Sequence, residues 1–410
     1  MHSEDPLEEA GADVNSRTAT GILLLIIAGL IALGIFVPGS RTALALILGI
    51  ILLIMLHEFG HYWTAKRAGM KVTEFFVGFG PRLWSFRRGE TEYGVKAIPA
   101  GGYVRIIGMT NMEEVDPEDE PRTYRQATTG KRLMVILAGV TVNLFIAFLL
   151  FFVVIAGQGR IADGPSTTVS RVVAGSAAQD AGLKAGDKIV AADGTAVAGN
   201  WDALKAVIEK NGGQPISITV ERNGSTVELT ATPKEQDGQG FLGVGPTTAF
   251  KDVGVLAAIP QSFTTIGNVT EATWNGLVDR FSPSGVQQTA KQSFTSAAPA
   301  AGSTEDQNRP QTVIGFVNNG SQIADGNVWS ILWLLAALSL VLAIFNLIPL
   351  LPLDGGHAVI AVYEGVASKV KHRRVFADYR KALSVSLLLL SPLLFLSLSA
   401  MVLDIRQLGS

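Results

Sequence analysis

Five stretches of the 410-residue chain lack Asp, Glu, Lys and Arg and are rich in aliphatic residues. An apolar helix needs about 20 residues to cross the roughly 30 Å of hydrocarbon in a bilayer. Four stretches reach that length, and the second does so once its helix continues to about residue 65. The pattern predicts a polytopic α-helical membrane protein with about five transmembrane helices, at residues 18–40, 42–66, 131–158, 328–356 and 382–404.

The first predicted helix follows an acidic tail at residues 1–17, where a secretory signal peptide would carry a basic segment. A second apolar helix follows it almost at once. A cleaved signal peptide is the alternative interpretation, but these two features favour a helix that is retained in the mature protein.

Lys and Arg set the expected orientation, because cytoplasmic loops are enriched in them. Residues 66–132 carry 12 of these cations and residues 369–381 carry six, whereas residues 157–327 carry 12 over a much longer stretch. We therefore expect the N-terminus, a region at 70–128 and a connection at 357–381 to be cytoplasmic. The long middle segment is then extracytoplasmic, in a bacterial cytoplasmic (inner) membrane.

The middle segment begins with residues 165–235, where alternating apolar positions and turn signals indicate a small soluble α+β domain. Ala181-Gly182-Leu183 and Gly186-Asp187 make it resemble a bacterial PDZ domain, a module that binds an extended peptide or a C-terminus by strand addition. A small spacer that binds nothing is the alternative. Residues 236–327 are polar and low in charge, and we expect a linker with a candidate interfacial helix there.

Composition narrows the chemistry that such a membrane protein can perform. Hydrophobic residues make up 48% and charged residues 17% of the chain, and there is no cysteine. The absence of cysteine excludes disulfides, a thiol nucleophile, thiolate metal sites and iron–sulfur clusters. The formal net charge of -2 gives no reason to expect nucleic acid as a partner.

Candidate chemistry lies at the end of the second predicted helix, which reads His57-Glu58-Phe59-Gly60-His61. A spacing of four places both histidines on one helix face, so two imidazoles can bind one zinc ion. Glu58 is close enough to take a proton from a metal-bound water, which zinc makes acidic near neutral pH. Two satisfied histidines without a metal are the alternative, but a carboxylate in a membrane helix is costly, and this favours the zinc interpretation.

A catalytic zinc site needs a third protein ligand, and Asp354 is the best candidate. It ends the fourth predicted helix, where Pro349 and Pro352 break the helix and two glycines permit tight turns. The second and fourth helices both run inward, so His57, His61 and Asp354 can meet in the cytoplasmic half of the membrane. A helix cap or turn is the alternative role for Asp354. His357 is a rival ligand, which we assign outside the metal set.

These features together resemble the site-2 protease family of intramembrane zinc metalloproteases, in the single-PDZ, RseP-like bacterial type. The motifs that carry the resemblance are His57-Glu58-x-x-His61, the PDZ-like insert and Asn346-x-x-Pro349-x-x-Pro352-x-Asp354-Gly355. The resemblance implies one zinc ion held by His57, His61 and Asp354, with Glu58 as catalytic base and Asn346 holding substrate or the oxyanion. It implies cleavage within the membrane segment of a single-pass protein, such as an anti-sigma factor, after a first cut by a site-1 protease.

The region at 70–128 begins with Gly-rich, aromatic and β-branched segments that indicate short strands beside the catalytic helix. The family resemblance includes a membrane-associated β-hairpin here. A strand edge could hold an unwound substrate, and we expect residues 93–98 or a neighbouring strand to supply it, with Tyr93, Val95 and Ala97 as substrate-binding residues. A cytoplasmic cap is the alternative. In the third predicted membrane helix, Gly139 and Asn143 read as packing positions near the zinc pocket.

Two other classes of function fit parts of the pattern. An ion- or metal-handling transporter could use Glu58 and Asp354 as an ion path, although such proteins favour repeated halves or further buried charges. A catalytically idle scaffold could bind protein tails through the PDZ-like domain, although an idle protein could lose Glu58. The sequence therefore favours an intramembrane zinc endopeptidase, surrounded by lipid.

Overall fold

The computed structural model describes residues 40–408 apart from 162–165, 174, 237–238, 248–249, 283, 286, 288–311 and 325. It also describes residues 21, 25, 28–29 and 32–37. The predicted acidic tail lies outside these residues, and so does much of the predicted first helix. The chain divides into two compact units, Ile155–Gln261 and the combination of Met1–Val154 with Ser262–Ser410.

The first part of the larger unit contains two long helices, and the chain segment that joins them forms a sheet. Helix α1 (Ser40–Ala68) is followed by strands β1 (Val72–Arg88) and β2 (Thr91–Ile106) and by helix α2 (Thr129–Gln158). Gly69 ends α1 with a φ of 84°, a left-handed conformation that glycine adopts at no steric cost. The N–H of Met70 then bonds the carbonyl of Ala65, the hydrogen bond that closes a Schellman motif.

The sheet of β1 and β2 has four segments, because each strand reverses direction along its length. From the register, the segments lie in the order 82–88, 91–98, 74–79 and 102–106. Buried Val72, Ile106 and Tyr124 join Ala65 and Ile136 in one apolar cluster, which fixes the base of the sheet to α1 and α2.

Charged groups also attach the sheet to the end of α1. The Glu90 carboxylate, in the turn between β1 and β2, accepts hydrogen bonds from Arg122 at 2.8 and 2.9 Å and from Lys66 at 2.6 Å. The hydrogen bonds from Arg122 have the largest effect, and together with Lys66 they lower the pKa of Glu90 to about 2.

The smaller unit is an α+β fold with ten strands and two short helices among its described residues. They are β3 (Arg160–Ile161), β4 (Ser166–Val172), α3 (Ala177–Asp180), β5 (Lys188–Ala192), β6 (Thr195–Ala196), α4 (Trp201–Lys210), β7 (Ile216–Arg222), β8 (Ser225–Ala231), β9 (Lys234–Gln236), β10 (Gln239–Phe241), β11 (Val244–Thr247) and β12 (Phe250–Lys251). The main sheet has the order β11-β4-β5-β7-β8, with β6 paired to β5.

One apolar cluster forms the core of this unit, with Leu204 of α4 and Ile189, Ile218 and Val220 of the sheet all buried. The buried Asp187 carboxylate accepts two hydrogen bonds of 2.7 Å from the guanidinium of Arg222. Arg222 thereby lowers the pKa of Asp187, so this buried carboxylate stays charged.

The regular secondary structure described after β12 is helical. It contains α5 (Gly254–Phe281), α6 (Val313–Ala324), α7 (Val328–Asn346), α8 (Asp354–Val370) and α9 (Tyr379–Leu408). The segment 236–327, for which we predicted a linker with a candidate interfacial helix, contains short strands and the helices α5 and α6 among its described residues. The predicted fourth membrane helix ends at Asn346, and a separate helix begins at Asp354 and continues into the predicted cytoplasmic connection.

Three of the described helices, α1, α2 and α7, are long and apolar enough to cross a membrane. Buried side chains join two of them: Leu46, Ile50 and Leu53 of α1 cluster with Leu335 of α7. Helix α9 covers the predicted fifth span but is not among these three. The fold is therefore that of a helical membrane protein with an inserted, sheet-rich unit.

Candidate metal and catalytic centre

The centre of the larger unit brings together side chains from α1 and α8. His57 and His61 lie one turn apart on α1, and both are buried. Their Nε2 atoms are 3.2 Å apart, and each lies 3.4 Å from Oδ2 of Asp354, the first residue of α8. The structure thus joins the two predicted ligand segments, and these three residues form a group that could hold a metal ion.

The spacing of these three atoms suits zinc. Zinc binds nitrogen and oxygen ligands at about 2.0–2.1 Å in a tetrahedral site, which separates neighbouring ligand atoms by about 3.3–3.4 Å. In addition, Oδ2 of Asp354 is buried and accepts no hydrogen bond. Burying a carboxylate oxygen without a partner is costly, and a cation between the three atoms removes that cost. The donor set of two imidazoles and one carboxylate therefore fits a zinc ion.

The backbone of α2 selects the imidazole nitrogen that faces the metal position. Nδ1 of His61 lies 2.8 Å from the carbonyl oxygen of Val135. A carbonyl can only accept, so Nδ1 carries the proton and donates it. Nε2 of His61 is then the nitrogen with a free lone pair, directed at Asp354.

Gly139 forms the wall of the centre on the α2 side. A Cβ atom at this position would lie 2.6 Å from Cε1 and 2.8 Å from Nε2 of His57, and it would also meet Nε2 of His61. Gly60 of α1 is similarly close to α2, since a Cβ there would lie 2.9 Å from the carbonyl oxygen of Ala138. Gly139, predicted as a packing position, therefore adjoins the imidazole nitrogens of both histidines.

Glu58 lies between the three-residue group and the sheet. Its carboxylate interacts electrostatically with both histidines and Asp354, and it is within hydrogen-bonding reach of the backbone N–H of Val104 in β2. A Cβ on Gly102 would lie 3.7 Å from Cγ of Glu58 and would also meet Met55. The glycine at 102 thus lets the strand approach closely the turn of α1 that carries Glu58.

The other predicted site residues occupy different surroundings. Tyr93 and Val95 lie in segment 91–98, which pairs with 74–79 on one side and with 82–88 on the other. The hydroxyl of Tyr93 is 2.5 Å from that of Tyr62. Exposed Ala97 lies near the end of the same segment. These residues are therefore not on an open edge; within β1 and β2, the open edges are 82–88 and 102–106.

Asn346 and His357 flank Asp354 along the chain. Asn346 is the last residue of α7, and seven residues of turn lead from it to Asp354. His357 lies one turn after Asp354, with its ring centroid 6.1 Å from that of Tyr379, and it is not one of the three grouped residues. Gly355 and Gly356 pack against the backbone of this turn. A Cβ on Gly355 would lie 2.5 Å from the carbonyl carbon of Leu347, and a Cβ on Gly356 would lie 2.5 Å from that of Leu350. Helix α8 therefore begins tightly against the end of α7.

Comparison with known proteins identifies the family. The profile of Peptidase family M50 matches residues 45–390. The chain is 35% identical over 360 residues to the zinc metalloprotease Rip1 of Mycobacterium tuberculosis, covering 80% of this chain and 86% of the relative. It is also 32% identical to the metalloprotease MmpA of Caulobacter vibrioides, covering 77% of this chain and 84% of the relative.

This chain belongs to peptidase family M50.

A more distant relative is a putative zinc metalloprotease of Nostoc, 29% identical over 342 residues. Family M50 contains the site-2 proteases, so the resemblance read from the two motifs is confirmed. The chain is an intramembrane zinc metalloprotease that acts on membrane proteins in a lipid environment, and the predicted zinc cofactor is confirmed with it. The transporter and the idle scaffold are thereby set aside as primary functions.

Gly139→Ala tests the geometry of this M50 centre. We expect the added methyl group to displace both imidazoles and to lower zinc affinity by about tenfold or more, the range seen when the support of a ligand is lost. Gly130→Ala is the matched control, because nothing lies within 4 Å of a Cβ at that position of the same helix. Chelator competition on the purified proteins measures both affinities, and equal affinities would refute the placement of Gly139.

Proposed function

We propose that this M50 protease cleaves peptide bonds within the transmembrane segments of single-pass proteins, using His57, His61 and Asp354 as zinc ligands and Glu58 as catalytic base. The single observation that carries the proposal is the arrangement of three donor atoms 3.2–3.4 Å apart, with the Glu58 carboxylate beside them. Anti-sigma factors, already cut outside the membrane by a site-1 protease, are the substrates that the family resemblance favours.

The chemistry divides between the metal and the protein. Zinc, when bound by this donor set, supplies a Lewis acid that makes water nucleophilic at neutral pH. Glu58 accepts the proton that the attacking water loses, and it returns that proton to the amide nitrogen that leaves. Asn346, at the end of α7, is a candidate donor to the carbonyl oxygen of the scissile bond.

We propose that the substrate is held as an added strand on segment 102–106. A transmembrane helix hides its peptide bonds in its own hydrogen bonds, so cleavage requires local unwinding and new partners for the exposed backbone. Segment 102–106 is an open edge of the sheet, and its residue Gly102 lies against Met55 and Glu58. This edge replaces Tyr93, Val95 and Ala97 as the proposed substrate-binding segment.

For the topology, we propose five spans with the N-terminus in the cytoplasm and the smaller unit outside the cytoplasmic membrane. The cations at 66–132 and 369–381 support this orientation. We also propose that the smaller unit is a PDZ-like domain that binds a peptide or a new C-terminus. Strand β11, an edge of its sheet, carries no partner on one side among the described residues and suits strand addition.

Glu58→Gln separates catalysis from metal binding. The amide keeps the size of the side chain but cannot act as a base, so we expect zinc content to match the parent while cleavage of a co-expressed membrane substrate falls by about 100-fold or more. Glu235→Gln, an exposed residue of the other unit, serves as the control and should change neither. Undiminished cleavage by Glu58→Gln would exclude Glu58 as the base.

Arg105→Cys tests the proposed substrate edge. Arg105 lies exposed on segment 102–106, and the chain has no natural cysteine, so a disulfide with a single-cysteine substrate reports their proximity. We expect cross-links that shift in steps of two along the substrate, because alternate residues of a strand face the same side. Arg87→Cys on the opposite edge is the matched control. Equal cross-linking at both positions would contradict strand addition at 102–106.

A further inference from the structure

A buried ion pair joins α2 to α8. Nη1 of Arg132 lies 2.7 Å from Oε2 of Glu364, and the two side chains are only 6% and 4% exposed. The partners are 232 residues apart in the chain. Neither residue has a role in the chemistry described above, and nothing in the zinc-binding motifs includes them.

Both charged groups make further contacts that hold them in place. The second oxygen of Glu364 accepts a hydrogen bond of 2.7 Å from the backbone N–H of Ala377. The guanidinium of Arg132 lies 4.9 Å from the ring centroid of Tyr124, which is fully buried. Burying two charges is expensive, and apolar residues of similar size often give equal stability. Stability alone therefore does not explain this ion pair, and the two helices that it connects indicate its role.

The pair connects the two halves of the metal centre. Helix α8 begins with Asp354 and carries Glu364 further along. On α2, Arg132 lies on the same face as Val135 and Gly139, because residues at i, i+3 and i+7 share one side of a helix. Val135 fixes the orientation of His61, and Gly139 adjoins both imidazoles. One stripe of α2 thus contacts the histidines and also holds the aspartate helix.

Close packing next to the ion pair supports the same relation. A Cβ on Gly365, the residue after Glu364, would lie 2.5 Å from Oγ1 of Thr129 in the first turn of α2. Thr129 precedes Arg132 by three residues and so extends the same stripe. Glycine at position 365 lets the two helices approach closely, and the ion pair fixes the position of α8 along α2.

We propose that Arg132 and Glu364 are positioning residues of the metal centre, which hold α8 against the 129–139 stripe of α2 so that Asp354 reaches the histidines. The proposal rests on the proposed assignment of Asp354 as a ligand. It adds the ion pair between α2 and α8 to the ligands, as a contact that the three donor atoms need in order to meet.

Three variants of the full-length protein in detergent test this role: Arg132→Met, Glu364→Gln and the two combined. Zinc affinity is measured by chelator competition, and the visible spectrum of the cobalt-substituted protein reports the ligand geometry. We expect each variant to lose about tenfold or more in zinc affinity, with an altered cobalt spectrum. The double variant contains no unpaired buried charge, so it should unfold less readily than Arg132→Met while keeping the weakened metal affinity.

The matched control is Arg222→Met, which removes an Arg–carboxylate contact of 2.7 Å from the smaller unit. It should leave zinc affinity and the cobalt spectrum unchanged. Parent-like metal affinity and spectrum in the double variant would overturn the positioning role, even if the single variants fold poorly. If Asp354→Ala instead binds zinc as tightly as the parent, the proposed ligand set is wrong, and the positioning role is wrong with it.

Discussion

The structure depends on bringing two imidazoles and one carboxylate within 3.4 Å of one another inside a membrane protein. Each of these groups is costly to bury alone, and the carboxylate oxygen that faces the histidines accepts no hydrogen bond. A shared cation makes the arrangement favourable, because it binds all three donor atoms at once. The glycines at 60, 139, 355 and 356 follow from this requirement, since each lets a backbone approach more closely than a side chain would allow.

A protease inside a membrane must also present a peptide bond that a helix would otherwise protect. The M50 chain places an open strand edge directly beside Glu58, and the same turn of α1 contacts both the sheet and the metal group. Backbone recognition by strand addition depends little on side-chain identity. The arrangement therefore suits an enzyme whose substrates share an unwound segment and differ in sequence.

The sequence predicted the chemistry better than the contacts that position it. Helical spacing predicted the histidine pair, and the interrupted helix predicted Asp354, because both signals are local. The order of the sheet segments depends on pairings between distant residues, so composition alone predicted an edge at residues 93–98 or a neighbouring strand without deciding which segment is open. Gly139 resembles any packing glycine of a membrane helix. Arg132 and Glu364 gave no joint signal, since a single sequence does not reveal which of many charges are paired across 232 residues.

X-ray absorption at the zinc edge tests the ligand set most directly. For the parent protein, we expect the zinc ion to be coordinated by two imidazole nitrogens and one carboxylate oxygen from the protein at about 2.0–2.1 Å. For Asp354→Ala, we expect loss of the carboxylate ligand and much weaker zinc binding, whereas His57→Ala should lose one imidazole. Unchanged zinc coordination and unchanged zinc affinity in Asp354→Ala would contradict this ligand set.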